Sequence, residues 1–257
     1  RFDLILPLLV VLAFTGMSPR ATAQTMVNLG TATSFAVLGR STVTSTGATI
    51  VTGDFGLSPG TAYTGFPPGI VVNGTVHISD PTASQAQADA ATAFSAITGQ
   101  SSTAFDMTAV TNGTVLTAGV YSTGTAGIAG TLTLNSSASD IFIFKIASTL
   151  LTDASSHLLL TGGAQAGNVF WQVGSSATLH GVDFVGSILA AQSITLSTGV
   201  NVDGRLLALG AAVTLDSNMV SVPSAIPEPA TYATFAAVAA LGFAAWRRRR
   251  VAGVVRL

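Results

Sequence analysis

The feature that most constrains this chain is a repeat between Asn168 and Val220. Asn168-Val169-Phe170-Trp171-Gln172-Val173 is followed by Ala177-Thr178-Leu179. Gly186-Ser187-Ile188-Leu189-Ala190 is followed by Ile194-Thr195-Leu196, and Gly204-Arg205-Leu206-Leu207-Ala208 by Val213-Thr214-Leu215. The first segments recur every 18 residues, and the Thr-Leu pairs after 17 and then 19. That period is too long for one hairpin strand and too short for a strand-helix-strand unit. It fits one coil of a β-solenoid, in which several short strands and corners make each turn. Stacked coils then set like residues above like, about 4.8 Å apart.

Composition agrees with stacked strands. Only 8% of the 257 residues are charged, and 27 are glycine. Between Gln24 and Ile226 nine aspartates face three bases, Arg40, Lys145 and Arg205. A net charge of −6 over that stretch is the wrong sign for a phosphate backbone, so no nucleic-acid partner is expected. The chain has no cysteine, which removes disulfides and thiolate chemistry.

The two ends read differently from the middle. Leu4–Phe14 is apolar, and Ala21-Thr22-Ala23 before Gln24 has the form of a signal-peptide cleavage site. Near the other end come Pro227-Glu228-Pro229, a mostly small apolar run Ala230–Trp246, and Arg247-Arg248-Arg249-Arg250. Seventeen such residues are just enough to span a bilayer, with the arginines on the cytoplasmic side. The combination resembles the PEP-CTERM sorting signal of Gram-negative bacteria. The resemblance implies an exosortase-type processing enzyme as partner and transient membrane anchoring through residues 230–246. It also implies a product that is secreted or held at the cell surface, with exopolysaccharide as a further partner. The chain is thus expected to divide into a signal peptide (1–23), one solenoid domain (24–222), a linker with the Pro-Glu-Pro motif (223–229) and a hydrophobic sorting helix with its Arg cluster (230–250).

Between Val27 and Leu38 a first strand region is expected. Thr42, Thr44 and Thr46 alternate with Val43 and Ser45, so the three threonines share one strand face. A segment at about 80–98 breaks the strand pattern. It lacks glycine, and Ala83, Ala86, Ala90, Phe94 and Ile97 recur three or four apart, predicting a helix laid along the solenoid wall. Asp80 or Thr82 is placed to cap its start and Gly99 its end. Ile141–Ile146 is apolar on both sides, as expected of a strand with the core on one face and a covering element on the other.

Candidate functional residues point away from catalysis. His77, His157 and His180 fall in different coils, and there is no HExxH, nucleophile elbow or Walker-type loop. Asp183 and Asp203 lie in successive coils but out of register: Asp183 matches Asn201, and Asp203 matches Val185. No enzyme, cofactor or metal site is expected. The regular feature is hydroxyl-bearing. If Leu179, Leu196 and Leu215 point inward, Thr178, Thr195 and Thr214 form an outward column. Crossed by a row such as Thr42, Thr44 and Thr46, it makes a flat grid of hydroxyls and methyls. Threonine also fills outward strand positions for its β-propensity alone.

Several stretches together resemble a known family. They are Val27-Asn28-Leu29-Gly30-Thr31-Ala32, Thr52-Gly53-Asp54-Phe55-Gly56-Leu57-Ser58-Pro59-Gly60, Ala86-Gln87-Ala88-Asp89, Gly119-Val120-Tyr121, Gly130-Thr131-Leu132-Thr133-Leu134, Gly167–Gly174 and Gly204–Asp216. They are similar to bacterial and fungal ice-binding proteins over roughly Val27–Val220. The resemblance implies a mainly β fold: a right-handed, discontinuous parallel β-solenoid (β-helix) with one long α-helix packed alongside. It implies adsorption to an ice crystal surface through one flat face, slowing ice growth and recrystallisation outside the cell. The family's Thr-Ala/Gly-x-Thr/Asn pattern occurs as Thr46-Gly47-Ala48-Thr49 and Thr198-Gly199-Val200-Asn201. One coil before the second, His180-Gly181-Val182-Asp183 keeps only the glycine. The ice-binding candidates are therefore Thr42, Thr44, Thr46, Thr49, Thr178, Thr195, Thr198, Asn201 and Thr214. The alternative is a cell-surface or matrix adhesion protein on the same fold, binding polysaccharide through Asn, Asp and exposed aromatics, with Trp171 and Tyr121 the rings to watch.

Overall fold

The structure, a computed structural model, describes residues 25–181 and 183–223. The chain winds into a parallel β-solenoid whose coils have three faces. Among the described residues every strand pair is parallel, in one sheet of fifteen strands that serves two faces and one of seven that forms the third. The last full coil runs from the end of Asn201–Ala208 through Val213–Asp216 to Met219–Ser221. Inside it lie Leu206, Ala208, Val213, Leu215 and Val220. Alternation along each strand sends every second side chain into this core, where Trp171 and Phe144 stack at 4.0 Å. Trp171 is fully buried and donates its indole N–H to Val185 O at 2.9 Å.

The stack is discontinuous in sequence. Phe35–Gly39, Thr42–Thr46 and Ile50–Thr52 form the first coil, and Asp54–Leu57, Ala62–Thr64 and Ile70–Val72 the second. The helix Pro81–Thr98 then carries the chain back along the wall to the far end. From Thr103 the coils return in order until the last meets the first. Leu206 pairs with Val37, Thr214 with Thr44, and Val220 with Val51. The two ends of the domain's sequence therefore adjoin in the middle of the stack.

The helix behaves as its pattern demands. Asp80 caps it, accepting from Ala83 N at 2.8 Å. Its buried stripe is Ala83, Ala86, Gln87, Ala90, Ala93 and Ile97, with Phe94 half-buried. Small side chains let it sit close to Phe35, Leu38, Ile143, Phe170, Leu189 and Leu207, which form a second core distinct from the solenoid interior. Buried Gln87 donates to Gly39 O (2.8 Å) and Ala208 O (3.2 Å) on two adjacent coils. Gly99 is the C-cap but keeps a right-handed φ of −73°. The free carbonyls are met by Lys145 Nζ instead, 2.9 Å from Thr98 O and 2.7 Å from Gln100 O, a cation where the helix dipole favours one. Ile141–Ile146 is two-sided as expected, with Phe142, Phe144 and Ile146 in the solenoid and Ile141 and Ile143 under the helix.

Two expectations are corrected. The expected first strand does not begin at Val27: Gly30–Ser34 is a 3-10 turn, and extension starts at Phe35. The helix is the reason. Asp89 accepts from Thr31 N and Thr31 Oγ1, each at 2.7 Å, pulling the turn onto its side. Arg205, whose guanidinium is driven down to about 10 by burial, holds the same turn through Thr33 O at 2.8 Å. The expected secreted or cell-surface location, with transient membrane anchoring through 230–246, is also set aside. Among the described residues no helix is long and apolar enough to cross a membrane. Residues 1–23, Pro227-Glu228-Pro229, the run 230–246 and Arg247–Arg250 lie outside the described residues.

Candidate ice-contacting face

The seven-stranded sheet forms a face opposite in character to the helix side. Its inward positions are Ala177 and Leu179, Ile194 and Leu196, Val213 and Leu215, all 0–1% exposed. With those side chains packed inward, the intervening residues must point out. Thr178 pairs with Thr195, Thr195 with Thr214, Thr214 with Thr44, and Thr44 with Thr64. One unbroken column of five threonines thus crosses five coils at intervals of about 4.8 Å. β-Branching leaves each side chain few rotamers, so the column is stiff. At its far end the column passes to Leu151, half-exposed, and Gly127.

Parallel rows flank the column. On one side lie Thr42, paired with Ala62, and the hydrogen-bonded pair Ser193 and Ser176 at 3.0 Å. On the other side lie Thr46, Asp216, Ser197 and His180, linked across coils. Thr46 pairs with Asp216, and Ser197 Oγ is 2.7 Å from His180 Nδ1. The central column carries no charge. Asp216 is held below the usual carboxylate range by hydroxyls of Thr198, then Thr46, then Ser217.

The sequence candidates are sorted by this geometry. Thr42, Thr44, Thr46, Thr178, Thr195 and Thr214 share the face. Thr198 is exposed at its corner, bonded to Asp216. Two candidates are corrected. Thr49 is fully buried, accepting from Ser45 Oγ (2.7 Å) and Asn218 N (3.3 Å), because the chain must turn a corner there. Its neighbour Gly47, at φ +67°, leaves no room for a Cβ against Ser217 Oγ. Asn201 lies on a different face, in register with Asp183 and Met219. A four-residue motif crosses a corner, so its first and last residues cannot share one strand face. Thr64 and the serine pair were missed; Thr64 follows an unlike sequence, Ala62-Tyr63, and only the register shows it to be the end of the column.

The alternative site fares differently. Asp183 and Asn201 do adjoin (3.4 Å), beside His157 (3.5 Å from Asp183). Trp171 points into the core, and Tyr121 stacks on Phe144 with its hydroxyl on Thr117 O at 2.6 Å. Neither watched ring offers a stacking platform. Among the described residues no group of three His, Asp or Glu is placed to hold a metal.

Fold and face together define a discontinuous β-solenoid presenting a regular, uncharged hydroxyl-and-methyl surface. The ice-binding-like family description matches residues 37–221, and the chain belongs to that family. It is 48% identical to an ice-binding protein of Nostoc sp. (strain HG1), over 83% of this chain and 81% of the relative. It is 32% identical to an ice-binding protein of Flavobacterium frigoris (strain PS1), over 77% of each chain. The crystal structure of an ice-binding protein from the Antarctic ascomycete Antarctomyces psychrotrophicus superposes with a TM-score of 0.73 at 44% identity. It covers 78% of this chain and all of the other.

Proposed function

We propose that this protein binds ice by adsorption, and that the threonine face is the contact surface. The observation that carries the reading is the five-coil register of Thr178, Thr195, Thr214, Thr44 and Thr64 over an apolar floor. Hydroxyls and methyls on a rigid lattice hold water in a fixed array at little entropic cost, since the side chains are already ordered. An ice front that incorporates this water gains a bound protein. Between bound molecules the front must bulge, which opposes growth and recrystallisation. Thr42 and Thr46 widen the patch, Thr198 forms its rim, and Thr49 and Asn201 are outside it.

The test is thermal hysteresis and ice recrystallisation inhibition with the full chain. Slowed growth with faceted crystals is expected. Folded protein at high concentration that leaves growth unchanged refutes the reading. The polysaccharide alternative has the adjoining Asp183 and Asn201 but no stacking ring from Trp171 or Tyr121. On the sequence alone, Pro227-Glu228-Pro229 with the following apolar run and Arg247-Arg248-Arg249-Arg250 supports an exosortase-type enzyme as a processing partner, testable by the mass of the mature chain.

A further inference from the structure

Among the described residues, one carboxylate lies beside the five-threonine column itself, and its position is unusual. Asp216 lies in the outward row beside the central column, at the seam where the last coil meets the first. Thr198 donates its hydroxyl hydrogen to one carboxylate oxygen, and Ser217 Oγ lies 3.3 Å from the other. Thr46 stands directly across the seam in register with Asp216, and its hydroxyl adds to the lowering of the carboxyl. The backbone around it is fixed: Asp216 N donates to Asn218 Oδ1 at 2.6 Å, and Gly199 N donates to Asp216 O at 3.0 Å. A threonine at this place would continue the row. A carboxylate does something a hydroxyl cannot, because it is an acceptor only.

We propose that Asp216 is a positioning residue for ice binding: by taking the hydrogen of Thr198, it leaves that hydroxyl oxygen at the rim of the face as an acceptor alone. That rim then presents a lone pair in a fixed orientation, and bound water must donate to it. Freely rotating hydroxyls would offer either sense at each site and order the water less. The carboxylate also ties its own coil to the preceding one through Thr198. The inference rests on reading this face as the ice-contacting one.

The test compares wild type with Asp216→Asn in the full chain, by thermal hysteresis and by the fraction partitioned into slowly grown ice. Asparagine keeps the shape but replaces one acceptor with a donor. Where the amide nitrogen faces Thr198, that hydroxyl must turn its hydrogen outward. The expected result is a several-fold loss of hysteresis in protein that stays folded at the assay temperature, with at most a small fall in melting temperature. A second arm reads wild type against pH. Ionised Asp216 is needed, so activity should fall on acidification below the usual carboxylate range while the circular dichroism spectrum holds. Asp216→Asn should not show that fall. Neither neighbouring strand carries a titratable side chain facing Asp216; His180 and Asp153 lie further along the row and are common to both proteins, so the difference reports on Asp216. Equal activity of the two proteins at neutral pH, or parallel acid profiles, overturns the inference while leaving the ice reading intact. If Asp216→Asn fails to fold, the acid profile of wild type decides: flat activity through that range overturns the proposal. Wild type inert toward ice instead overturns the face assignment itself.

Discussion

Thr214→Tyr probes the face at its centre, with Thr195 on one side and Thr44 on the other. The patch spans four coil gaps of about 4.8 Å and two strand repeats of about 6.7 Å, roughly 250 Å² in all. Taking about half of it as methyl surface, at about 25 cal/mol per Å², assigns ~3 kcal/mol to apolar contact with the ice layer. A tyrosine ring stands well above a threonine methyl and holds the crystal off its own coil and both neighbours, three of the five. The loss is then about 2 kcal/mol, roughly a thirtyfold drop in the adsorption constant. Position 214 is exposed over a packed floor, so folding stability should shift by no more than about 0.5 kcal/mol. Partition into slowly grown ice measures the first quantity and thermal melting the second. Asn201→Tyr, on the other face, is the control and should keep full activity. Retained partitioning in folded Thr214→Tyr, or loss in Asn201→Tyr, refutes the assignment of the face.

Other changes test the supports beneath it. Leu196→Ala removes a side chain 1% exposed beneath the column and should cost about 2–5 kcal/mol, seen as a lower melting temperature. Thr49→Val strips the buried corner of the hydroxyl that meets Ser45 and Asn218; unpaired groups there should cost about 1–3 kcal/mol in denaturant titration, with ice activity per folded molecule unchanged. Lys145→Met frees the carbonyls of Thr98 and Gln100, so amide exchange should quicken in the last helical turn and not in the coils. Acid should destabilise the fold. Asp80, Asp89, Asp106, Asp153 and Asp216 are held below 3.8 mainly by hydrogen bonds, while Asp203 is raised by burial. A lowered carboxyl stabilises the fold above its unfolded pKa, and that stability goes as pH falls through the folded value. Melting temperature should therefore hold at neutral pH and drop below about pH 4. A rise on acidification would contradict these contacts.

The coil was legible in the residues alone. An 18-residue period with Thr-Leu pairs in register is legible because each coil repeats the same inward and outward alternation, which is a local property. The helix was equally local, since its cap, its alanine stripe and its lack of glycine lie within one stretch. The two-sided Ile141–Ile146 strand announced the covering element for the same reason. Tertiary structure decided what joins what. Thr42–Thr46 and Val213–Asp216 are far apart in the chain, and no local periodicity could say that they pair. Yet that pairing unites Thr44 and Thr214 into one column and adds Thr64 beyond it. The Thr-x-x-Thr/Asn motifs misled because a four-residue motif spans a corner. Which of its residues stays on the face depends on where the chain bends, and here packing against Asn218 buried Thr49 while the turn carried Asn201 to another face. The face depends on coils from both ends of the domain's sequence meeting at one seam, and only the packed core fixes that meeting.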